Sequence, residues 1–82
     1  MSTRLYVGNL STDSTPEVLR EAFAVFGEVT DVQVVVDRYS GRARGFAFVT
    51  MARQEQAVQA AAKLNGATIG GRPVRVSEAQ AR

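Results

Sequence analysis

Cysteine, histidine and tryptophan are all absent from this chain of 82 residues. Without cysteine or histidine there are no disulfide staples, no thiolate or imidazole metal ligands, and neither a Ser-His-Asp nor a Cys-His nucleophile system. Long apolar runs are missing too: none approaches the roughly 20 residues of a membrane-spanning helix. No hydrophobic stretch followed by a small-residue cleavage site opens the sequence, so an intracellular, cytoplasmic protein is expected, bacterial first, with the nucleus as the alternative for a eukaryotic source. Strong net charge is also lacking, at only +2. With 45% hydrophobic and 22% charged residues, the chain suits one compact domain with a modest core, residues 1–82, with a folded part near 4–78 and a short tail at 79–82.

The weak net charge hides an uneven distribution. Between Asp13 and Asp31 stand five acids against one base, Arg20, whereas Arg38 to Arg53 carries four arginines and no acid. Nine of the ten bases are arginine, whose planar fork pairs with phosphate and stacks on flat rings. Inside the basic block lies Arg44 to Met51, RGFAFVTM. Successive side chains of a strand point to opposite faces, so Phe46 and Phe48 share one face while Ala47, Val49 and Met51 take the other. If the small aliphatic set packs on the core, two rings are left on the open side. Leu5 to Leu10, LYVGNL, repeats the pattern, with Leu5 and Val7 on one face and Tyr6 on the other. Side by side, the two strands would carry a platform of Tyr6, Phe46 and Phe48 flanked by Arg4 and Arg44, a surface suited to unstacked bases and phosphate.

RGFAFVTM resembles the octamer signature of the RNA recognition motif, K/R-G-F/Y-G/A-F-V-x-F/Y. It departs only at Met51, where the family usually carries an aromatic ring and a flexible thioether can fill the space. LYVGNL resembles the family's second signature, a hexamer on the first strand. The resemblance covers roughly Arg4 to Glu78 and implies base stacking on Tyr6 and Phe48, Phe46 beside the sugars, and Arg44 on phosphate. Arg4, Arg42 and Arg75 are further candidate contacts. Base edges are expected to meet Gln33 and the stretch Glu78 to Gln80.

The intervening segments fit the same architecture. Thr15-Pro16-Glu17 reads as a helix start capped by Thr15, or by Ser14 with Glu17 closing a capping box. Leu19, Ala22, Phe23 and Phe26 then form one apolar stripe that Gly27 ends. Val29 to Asp37 alternates as a strand, with Val32, Val34 and Val36 inward and Gln33 and Val35 outward. Arg38 to Arg44 is a basic loop, long enough to close over a ligand. A second helix, about Arg53 to Leu64, presents Ala57, Ala60, Ala61 and Leu64 and stops at Asn65-Gly66. After the Gly70-Gly71 turn, Pro73 to Val76 makes the last strand, Val74 and Val76 inward and Arg75 outward. The expected fold is α+β, ferredoxin-like β-α-β-β-α-β, a four-stranded antiparallel sheet with two helices on one face.

GATIGGRP lacks the G-K-[ST] ending of a P-loop and precedes a strand, which argues against nucleotide hydrolysis. Gly8-Asn9 only faintly echoes an acylphosphatase-like phosphate cradle. The expected activity is binding without catalysis, cofactor, metal, membrane or small-molecule substrate. The expected partner is single-stranded RNA, the sequence leaving open whether single-stranded DNA also binds, and the chain is expected to act as a monomer. The alternative is a protein-docking module that uses the same sheet face.

Overall fold

The computed structural model describes residues 3–11, 15–41 and 43–79, without the side chains of Ala43 and Arg44. Its elements are β1 (Arg4–Gly8), α1 (Pro16–Ala24), β2 (Val29–Val36), β3 (Ala43–Met51), α2 (Gln54–Leu64), β4 (Thr68–Ile69), β5 (Arg72–Pro73) and β6 (Arg75–Glu78). Four strands form one sheet in the order β2-β3-β1-β6, and each neighbouring pair is antiparallel. The expected ferredoxin-like arrangement is present, with one addition, a separate β4-β5 hairpin inserted before the last strand.

Register decides which face is buried. Leu5 stands opposite Val49, and Val7 opposite both Ala47 and Val76. All of these are buried, and they join Leu19 and Phe23 of α1 and Ala57 and Ala60 of α2 in a single core. Met51 belongs to that core as well, at 1% exposure, so the residue that departs from the signature lies on the buried side as expected. Among the described residues no polar or charged side chain is buried. Both helices therefore cover one face of the sheet, and the face carrying Tyr6, Phe46 and Phe48 is left without a helical layer.

Thr15 caps α1, its Oγ1 accepting from Val18 N at 3.3 Å, and Pro16 occupies the first turn; Ser14 lies outside the described residues. The helix stops at Ala24 rather than running to Gly27. Phe26 N donates to Phe23 O at 3.0 Å and Gly27 N to Ala24 O at 3.4 Å, so a tighter turn carries the chain on while Phe26 still packs against the core. Arg20, the one base in the acidic stretch, donates from Nη1 to Val29 O at 3.0 Å and ties α1 to β2.

Three parts of the sheet depart from simple alternation. The β2-β3 register shifts once between Val29, opposite Met51, and Asp31, opposite Thr50, and again between Val34, opposite Ala47, and Val36, opposite Ala43. Gly45 lies at the second shift with φ of +93°, a conformation that a residue with a Cβ rarely adopts. Beyond the shift Val36 leaves the core and is 52% exposed, while Val35, expected outward, is half-buried. The expected last strand is also divided. Val74 N donates to Ala67 O and Gly66 N to Val74 O, at 2.9 and 2.7 Å, which binds Val74 to the hairpin side. Only Arg75 to Glu78 pairs with β1. Val74 and Val76 are nevertheless both buried.

Candidate nucleic-acid interface

The two central strands supply the three rings. Tyr6 of β1 stands opposite Phe48 of β3, and Gly8 opposite Phe46. Ring centroids are 5.9 Å apart for Tyr6 and Phe46, which stack at 30°. They are 6.0 Å apart for Tyr6 and Phe48 and 6.2 Å for Phe46 and Phe48, both edge-on. The rings thus form one mutually packed cluster. Tyr6 is 37% exposed, and Phe46 and Phe48 are half-buried because they shield one another.

Gly8 makes the cluster possible. A Cβ built there would lie 2.7 Å from the Tyr6 hydroxyl oxygen and 2.8 Å from Cε2, so the tyrosine ring lies back over a backbone position that carries no side chain. Arg4 stands opposite Thr50, and its guanidinium carbon sits 4.1 Å from the centroid of Phe48. That is cation–π distance, and it holds a positive charge against the apolar platform.

The edge strands frame the rings. Gln33 of β2 stands opposite Phe48, and Ser77 of β6 opposite Tyr6, giving one row across the sheet: Gln33, Phe48, Tyr6, Ser77. Arg75 stands opposite Gly8 at the β6 side of the next row. All three flanking residues are exposed. Arg42 and the side chain of Arg44 lie outside the described residues, as does Gln80.

Two corrections to the sequence reading follow from this register. Glu78 stands opposite Leu5, a residue buried on the helical side, so Glu78 has the wrong parity for the open face. Ser77 takes that place and was missed. Carrying the alternation of Val74, Arg75 and Val76 one residue further would have found it. The structure also gives Asn9 a definite role. At φ of 60° it leads the chain off β1, donates from Nδ2 to Pro73 O at 2.6 Å and accepts from Arg72 Nη2 at 3.0 Å. Arg72 is thereby engaged in tying the hairpin to β1.

Tyr39 is 93% exposed on the turn after β2, remote in sequence from the platform strand β1. Asp37 braces this turn, its Oδ1 accepting from Tyr39 N at 2.8 Å and Ser40 N at 3.1 Å, while Gly41 N donates to Asp37 O at 2.8 Å. The described part of the basic connection is therefore a hydrogen-bonded turn. Among the described residues no group of three or more acidic, His or Cys side chains could hold a metal ion.

An antiparallel sheet with helices on one side and a three-ring aromatic platform flanked by cations on the other defines an open-faced module built for flat π ligands. A family model described as RNA recognition motif matches residues 5–75, and the chain belongs to that family. It is 46% identical over 82 residues to Glycine-rich RNA-binding protein 1 of Mycosarcoma maydis, an alignment covering 100% of this chain and 47% of the relative. Among solved structures, RNA Binding Protein PG1 superposes with a TM-score of 0.93 at 38% identity, covering 99% of this chain and 98% of that one. The Sxl-lethal protein/RNA complex superposes with a TM-score of 0.91 at 28% identity, covering 100% of this chain and 49% of that one. The chain spans about half or less of the length of the curated relatives it matches. No helix among the described residues is long and apolar enough to cross a membrane.

Proposed function

We propose that this domain binds single-stranded RNA on its open sheet face, without catalysis, as a monomer, by stacking bases on Tyr6 and Phe48 and placing Phe46 beside the sugars. Arg4, Arg44 and Arg75, with Arg42 between β2 and β3 in the sequence, meet the phosphates, and Gln33 meets a base edge. The observation that carries this reading is the three-ring cluster on β1 and β3, with centroids about 6 Å apart, on the face the helices leave open. Family membership and the likeness to an RNA complex support it. Stacking contributes roughly 1 to 3 kcal/mol per base, so two or three rings supply a large share of the roughly 8 kcal/mol of micromolar binding. Single-stranded DNA competes, since every base has a π face.

The test is fluorescence anisotropy of labelled RNA octamers of random sequence, titrated with wild type and with Phe48→Ala at two salt concentrations. The variant should fold and bind at least about 1 kcal/mol more weakly, because its ring lies outside the core, and wild-type affinity should fall steeply with salt. If wild type binds no RNA, or binds with no dependence on salt, the sheet face serves a protein partner instead.

A further inference from the structure

We propose that a cleft beyond the β6 end of the platform is an additional nucleotide subsite, taking a base that bears a ring carbonyl oxygen, uracil, guanine or cytosine rather than adenine, from the same RNA strand. The inference rests on the RNA-binding reading above. The cleft has a volume of about 250 Å³ and is lined by Asn9, Asn65, Gly66, Pro73, Val74 and Arg75. This lies just below the size range of drug-sized pockets and suits a single ring system.

Position connects the cleft to the platform. Gly8 stands opposite both Phe46 and Arg75, and Asn9, the next residue, already forms part of the cleft wall. Phe46 and Arg75 lie on strands either side of β1, roughly 10 Å apart at two strand spacings. A strand stacked on the rings that continues towards β6 runs into the cleft.

The lining sets the chemistry. Asn65 Oδ1 accepts from Val76 N at 3.2 Å, which fixes the orientation of the amide and leaves its NH2 without a partner among the described residues. The Arg75 guanidinium likewise has no hydrogen bond or ion pair among them. Asn9 is committed through both ends of its amide, to Pro73 O and to Arg72, so it forms wall rather than reader. Pro73 adds apolar surface, while Val74, at 0% exposure, only backs the wall from beneath. A Cβ on Gly66 would meet nothing within 4 Å, so that side is open. A site with apolar surface and unused donors favours a flat ligand carrying acceptors. A uracil, guanine or cytosine carbonyl satisfies Asn65, and the adjoining phosphate satisfies Arg75.

The test is an abasic scan of a uridine octamer against wild type and Asn65→Asp. Aspartate keeps an oxygen for Val76 N–H but replaces the NH2 with an acceptor, and a melting curve checks that the fold is retained. Wild type should show, besides the stacked positions, one position at which removing the base costs about five- to tenfold in affinity. Asn65→Asp should bind the intact octamer weaker by a similar factor and be insensitive to base removal at that position alone. A mere effect of the added negative charge would instead weaken every oligomer equally. In parallel, the side-chain amide resonance of wild-type Asn65 should shift on adding the uridine octamer and not on adding the octamer abasic at that position. An octamer bound equally by both proteins overturns the subsite. An abasic scan with only stacked positions does so too, and a resonance that shifts regardless of the base assigns the cleft to phosphate. Failure of the platform reading is separate: wild type would then tolerate base removal everywhere.

Discussion

Gly8→Ala tests whether the tyrosine must lie where it does. The new Cβ would stand 2.7 Å from the Tyr6 hydroxyl oxygen, 2.8 Å from Cε2 and 3.0 Å from Cζ. Carbon contacts settle near 3.5 to 4.0 Å, so the ring must retreat by roughly 1 Å. It can, because the clash is with the far end of a side chain and Gly8 is not among the residues with positive φ. Retreat breaks the stack with Phe46 at 5.9 Å, worth about 0.5 to 1.5 kcal/mol, and moves the surface on which a base would sit. Replacing glycine stiffens the unfolded chain and returns about 0.4 to 1 kcal/mol, so folding stability should change by less than about 1 kcal/mol. RNA affinity should fall by about 1 kcal/mol, near fivefold. Anisotropy titration with a fixed RNA octamer and urea unfolding read the two quantities separately. A double-mutant cycle makes the reasoning refutable: in a Tyr6→Ala background Gly8→Ala should have no further effect on binding. Equal affinity of wild type and Gly8→Ala, or a full effect without the tyrosine, would show that the glycine does not act through that ring.

Arg4→Gln removes the cation held over Phe48 and should weaken binding while lowering the slope of log affinity against log salt by about 0.7, the value for one phosphate contact on a single strand; an unchanged slope in anisotropy titrations removes Arg4 from the contacts. Phe23→Ala, at 0% exposure, should cost about 3 to 5 kcal/mol, a large part of what a domain of this size possesses, and urea unfolding should show it largely lost where Phe48→Ala is not.

The platform was legible because β1 and β3 obey strict alternation and their aliphatic and aromatic sets fall on opposite faces. Alternation also gave the buried positions of Val74, Val76 and Met51. It failed where the backbone breaks the count. The shift at Gly45 displaces Val35 and Val36 from their expected environments, and nothing in the run of valines announces it. The β4-β5 hairpin escaped because each strand has two residues, too few to show a period. The extended run from Pro73 to Val76 also continues smoothly across the point where its hydrogen bonds change partner. Ser77 was within reach of the same alternation. The contact of Arg4 with Phe48 was not, because it joins diagonal positions on two strands and depends on where a long side chain comes to rest.

The cluster also bears on how a small domain can carry three aromatics on an uncovered face. Each ring packs on the other two, so Phe46 and Phe48 remain half-buried and Tyr6 only 37% exposed, with Arg4 against Phe48. Much of the ordering that a ligand would otherwise impose on these side chains is already complete in the free protein, which reduces the entropic cost of binding. Ring faces accept any base, so the central strands favour affinity over selection. On the proposed RNA-binding reading, discrimination would fall to the flanking strands, where Gln33 and Ser77 close the two ends of the row through Phe48 and Tyr6 and would face the edges of bases stacked between them. On this reading affinity and selectivity are set by different strands of one sheet, and sequence changes at the flanks can retune which RNA is preferred without disturbing the rings or the core beneath them.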